Sequence, residues 1–104
     1  MDFNTLFQFL SFCHEFVGNT GALEALNRDI AATHELIRGC QTYLTFLGQH
    51  APHVSEVLAP GTYDVIQGHL ADNQAILRGM EDSRRALLND QQRIVLDIVT
   101  IIPR

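Results

Sequence analysis

The feature that most constrains this chain is a 3-4-3-4 recurrence of apolar residues through two long segments. The first stripe runs Leu23, Leu26, Ile30, Thr33, Ile37, Cys40, Leu44, Leu47. The second runs Tyr63, Ile66, Leu70, Asn73, Leu77, Met80, Arg84, Leu87, Gln91, Ile94, Ile98, Ile101. A spacing that averages about 3.5 residues keeps one side of a helix turned toward one partner, as in supercoiled helix packing. It fixes architecture and leaves chemistry open.

Caps and breakers divide the stripes into helices. Asp2 or Asn4 suits a cap for a helix over 3–17, ended by Gly18, and five of the six Phe residues fall in it. Asn19-Thr20-Gly21 then reads as a turn, with Asn19 or Thr20 capping a helix over about 21–49. Pro52, Pro60 and Gly61 mark a loop over 50–61, in which His53–Leu58 has room for one helical turn behind Pro52. Thr62 is placed to cap the last helix, about 63–100, whose first turn holds Asp64 where the macrodipole favours an acid. The run Ile94–Ile102 is β-branched enough for a strand. No second strand-like segment exists to pair with it, so 94–102 is read as helical.

The expected fold is therefore all-α and one domain, 1–104. Residues 21–49 and 63–100 form a long antiparallel hairpin in which position i faces roughly 111 − i. The short helix 3–17 folds back against one end, giving a three-helix bundle there and a bare two-helix hairpin at the other. On that register Arg84 falls near Asn27, within a turn of the carboxylates Glu24 and Asp29.

Composition excludes several functions. With 46% apolar and 18% charged residues the chain is globular rather than disordered. Net charge is −5, and neither half is basic: 1–52 holds five acidic and two basic residues, 53–104 seven and five. The electrostatic footprint of a nucleic-acid binder is missing. No basic n-region opens the chain and no apolar stretch is long enough to span a bilayer. The acidic to neutral polar residues of 3–17 also argue against a membrane-surface helix. With a turn near Gly18, Cys13 falls about 20 Å from Cys40, beyond the reach of about 7 Å for a disulfide. Two free thiols suit a reducing compartment, and the expected location is cytoplasmic.

No catalytic pattern emerges. Cys13 and His14 are neighbours, and adjacent helical side chains diverge by about 100°. Glycine-rich phosphate loops, nucleophile elbows and zinc spacings are absent. His50 and His53 straddle Pro52 near Glu56 and Asp64, and a proline between them does not put both rings on one face. The expectation is no enzyme, no cofactor and no metal.

What remains is a protein–protein interaction module (an adaptor, inhibitor or small chaperone) acting through an exposed apolar flank, with homo-oligomerisation expected. The alternative is a self-assembling subunit of a filament or secretion apparatus. Candidate partner-binding residues are Tyr43, Leu44, Phe46, Leu47, Tyr63, Ile66, Asn73 and Leu77 at the two-helix end. Phe7, Phe9 and Phe12 join them from the first helix. Asn73, Arg84 and Gln91 interrupt the second stripe and are candidates for fixing register, as buried polar residues do in coiled coils.

Overall fold

A computed structural model describes residues 2–50 and 61–102, with the backbone alone at His50. They form two helices, α1 over Phe3–His50 (48 residues) and α2 over Thr62–Ile101 (40 residues). The chain is an all-α helical hairpin. The expected loop, with Pro52, His53, Glu56, Pro60 and the helical turn at 53–58, lies outside the described residues apart from its ends.

The separate helix over 3–17 and the three-helix bundle do not form. Residues 18–21 are helical like their neighbours, and neither Gly18 nor Gly21 has a positive φ. The reason is the repeat itself. Phe9, Phe12, Phe16, Asn19, Leu23 and Leu26 continue the 3-4 rhythm in phase through the expected turn, and all six are partly buried. A break there would put two stretches of one stripe out of step. Two helical glycines cost only about 1 kcal/mol each relative to Ala. Asn19 and Thr20 are engaged as core residues rather than as caps.

Both helix starts are defined by local hydrogen bonds. Asp2 Oδ1 accepts the Thr5 N–H at 2.7 Å, and the Leu6 N–H reaches the Asp2 carbonyl at 3.0 Å, so Asp2 is the cap of α1. That contact holds the Asp2 carboxyl below its ordinary value of 3.8. At α2 the Val65 N–H bonds to the Gly61 carbonyl at 3.0 Å. Gly61, with φ of 85°, therefore takes the cap position expected for Thr62. Asp64 sits in the first turn as anticipated. The β-branched tail stays helical through Ile101, and the Ile102 N–H closes onto the Ile98 carbonyl at 3.3 Å.

The two helices contribute to two compact units: unit 1, Met1–Arg28 with Glu81–Arg104, and unit 2, Asp29–Met80. In unit 1, Ile94 is buried, flanked along the seam by partly buried Leu87, Gln91, Ile98 and Ile101. In unit 2, Thr33, Ile37 and Leu47 are buried. Ile30, Cys40, Leu44, Ile66, Leu70, Asn73, Leu77 and Met80 are partly buried beside them. Of the two stripes read from the sequence, only Tyr63 and Arg84 are exposed.

Candidate interaction surface

Unit 1 is built on a polar layer inside an apolar seam. Asn19 Nδ2 donates to Gln91 Oε1 at 2.6 Å and to the Leu87 carbonyl at 3.0 Å. Gln91 Nε2 donates to Thr20 Oγ1 at 3.0 Å, and the Thr20 hydroxyl donates to the Phe16 carbonyl at 2.9 Å. A little further along, Arg84 Nε donates to Asn27 Oδ1 at 2.9 Å. The pairs 20–91 and 27–84 fall on the register read from the sequence. The partner of Arg84 is Asn27, however, and not a carboxylate.

Helical geometry then separates two sides of this unit. Successive residues turn by 100°, so the residue after an inward one faces one side and the residue before it the other. Phe16 and Ile94 point inward; Glu15 and Arg93 precede them, Val17 and Val95 follow them. The preceding side is charged. Arg93 lies 3.5 Å from Glu15, 3.0 Å from Asp97 and 3.8 Å from Asp90, all partly exposed. Such solvated pairs contribute little stability and keep that side wet.

The following side is apolar. Cys13, Phe16 and Val17 of α1 and Val95, Ile98 and Val99 of α2 line a groove of about 360 Å³ whose surface is entirely apolar. Along α1 the same side carries Phe3, Leu6 and Leu10, and along α2 Leu88 and Ile102, all exposed. Val17 and Val99 are 69% and 54% exposed. Each helix thus presents a second, outward 3-4 stripe beside its inward one. His14 borders it, Gln92 interrupts it on α2, and Glu24 and Arg85 stand at its end by the same spacing.

Unit 2 differs. Its concavity on α1 is lined by Glu35, Arg38, Gly39, Thr42, Tyr43 and Phe46, with an Arg38–Glu35 ion pair of 2.6 Å on its rim. Leu47, expected on an exposed flank, is 2% exposed and belongs to the interior. Tyr43, Leu44, Ile66, Asn73 and Leu77 are partly buried, while Phe46 and Tyr63 are exposed. Asn73 Nδ2 donates to its own helix at the His69 carbonyl, 2.8 Å away. Of the phenylalanine candidates, Phe7 is 67% exposed, while Phe9 and Phe12 turn partly into unit 1. Gln91 is in the polar layer, and Arg84 is exposed. The sequence reading does not single out Val95 and Val99. Their signal was present, a spacing of 88-92-95-99-102 beside the inward 87-91-94-98-101, but a third helix was expected to cover them.

Among the described residues no group of three or more His, Cys, Asp or Glu could hold a metal ion, and no helix is long and apolar enough to cross a membrane. Compared with known proteins, the chain matches no family, no curated protein and no solved structure. The fold and surface define a class only: an all-α helical hairpin with one apolar and one charged side in unit 1.

Proposed function

We propose that this protein is a non-enzymatic protein–protein interaction module that works through the apolar side of unit 1. The observation that carries this reading is the second apolar stripe on both helices, bordering one groove and left exposed. Contiguous apolar surface of this kind is a mark of interfaces rather than of ordinary monomer surface. The charged opposite side, with Glu15, Arg93 and Asp97, gives the module a defined orientation. Cys13 and Cys40 are free thiols, in keeping with a reducing compartment such as the cytoplasm.

The alternative, an open-ended structural subunit, requires two different sticky faces so that growth does not close. Unit 2 offers Leu36, Phe46, Tyr63, Val65 and Ile76 exposed, but its concavity is rimmed by charge. The single apolar side of unit 1 favours the module.

The test is site-specific photo-crosslinking in the native source, with the reactive amino acid placed at Val99 in one sample and at the exposed Gln74 in another. A discrete adduct from Val99 and none from Gln74 is the expected result. Equal labelling from both positions, or none from Val99, refutes the reading.

A further inference from the structure

The apolar side of unit 1 is fitted to a second copy of this chain. Resting on the interaction reading above, we infer that two copies close groove to groove, so that four helix segments share one core. Three observations lead there. The first is geometric. In a two-helix pair each helix needs one stripe, whereas in a four-helix bundle each helix touches two neighbours and needs a wider apolar face. Around Val17 and Val95 both helices carry that wider face, inward and outward stripes side by side.

The second is area. Eight large apolar side chains stand exposed on this one side, Phe3, Leu6, Leu10 and Val17 of α1 with Leu88, Val95, Val99 and Ile102 of α2. At on the order of 100 Å² each they supply about the 800 Å² per partner that a stable interface buries. The third is charge. The chain carries −5, yet the groove is uncharged. A second copy meets no like-charge repulsion there. An anionic bilayer would meet no basic rim, and the acids Glu15, Asp90 and Asp97 flank the same segments.

Light scattering of the purified full chain, across concentrations up to about 100 µM, decides the matter. The expected mass is twice 11.7 kDa. Val17→Glu with Val99→Glu forces charge into the shared core and should raise the dissociation constant by about 100-fold or more. Far-ultraviolet circular dichroism checks that these chains remain helical. The milder Val17→Ala with Val99→Ala should weaken the dimer in the same direction without added charge. Leu36→Glu with Ile76→Glu, in unit 2, should leave the dimer intact. A monomer throughout, a mass that grows beyond two copies, or a dimer broken only by the unit 2 pair overturns the inference. A monomer whose Val99 still crosslinks to one discrete partner refutes the second copy alone and leaves the interaction module standing.

Discussion

At the scale of single residues the polar layer of unit 1 is the informative element. Asn19, Thr20 and Gln91 satisfy one another across the seam, and Asn19 also reaches the Leu87 carbonyl. A neutral hydrogen bond adds about 1 kcal/mol net, whereas leaving a partly buried partner unmatched costs about 1–3 kcal/mol. Asn19→Leu alone should therefore destabilise by about 1–2 kcal/mol in chemical denaturation. Asn19→Leu with Thr20→Val and Gln91→Leu removes the mismatch and should recover wild-type stability or exceed it. Such an apolar seam has lost a marker of register, the best-attested use of a core polar residue. Asp2 gives a second expectation at this scale. The Thr5 N–H, and then the Thr5 hydroxyl, hold its carboxyl below the ordinary value. A depressed carboxylate stabilises the cap above the unfolded value of 3.8 and releases it as pH falls through the folded value. Protection of the Thr5 amide, relative to its intrinsic exchange rate at each pH, should fall in that window, and Asp2→Asn should remove that fall.

At the scale of elements the continuous α1 makes a prediction opposite to that of a turn at residues 18–21. A Cβ at Gly18 would meet nothing within 4 Å, and its backbone is helical. Gly18→Ala should stabilise by about 0.5–1 kcal/mol through reduced unfolded-state entropy. Gly61, at φ of 85°, has equal space but the wrong backbone for a side chain, and Gly61→Ala should destabilise by about 1 kcal/mol. Thermal unfolding of the two variants, moving in opposite directions, checks both. The inward stripes, their register and the helical state of 94–102 were all legible in the sequence, because the 3-4 spacing leaves a helix few other ways to bury them. The turn expected at 18–21 does not form, although Gly-Asn-Thr-Gly is strong local turn chemistry. Asn19 reads locally as a cap, yet it stands at a stripe position just as Asn73 does. Tertiary pairing with Gln91 outweighed the local preference, and only the phase of Phe16, Asn19 and Leu23 could have announced it.

At the scale of the whole molecule the thinness of the interior governs stability. Among the described residues Ile37, Leu47 and Ile94 are the buried apolar side chains, with Thr33 beside them. No described side chain is both large and fully buried. Partly buried seams gain less from leaving water than interior positions do, while ordering the backbone costs the same per residue. The candidate surface was half legible for the same reason: the excess of apolar residues in 3–17 and 94–102 was plain, but which side they faced depended on whether a third helix existed. In the proposed dimer that apolar side finds its cover in a second copy, which couples folding to concentration by mass action. For two chains unfolding together, at about 0.7 kcal/mol of enthalpy per residue, each tenfold rise in concentration should lift Tm by about 3–4 °C. The chain carrying Val17→Glu and Val99→Glu should melt lower and show no such dependence. Calorimetry over two decades of concentration separates the cases. A Tm that stays fixed in the unaltered chain would mean that the two helices hold themselves together unaided, with the apolar groove open to solvent.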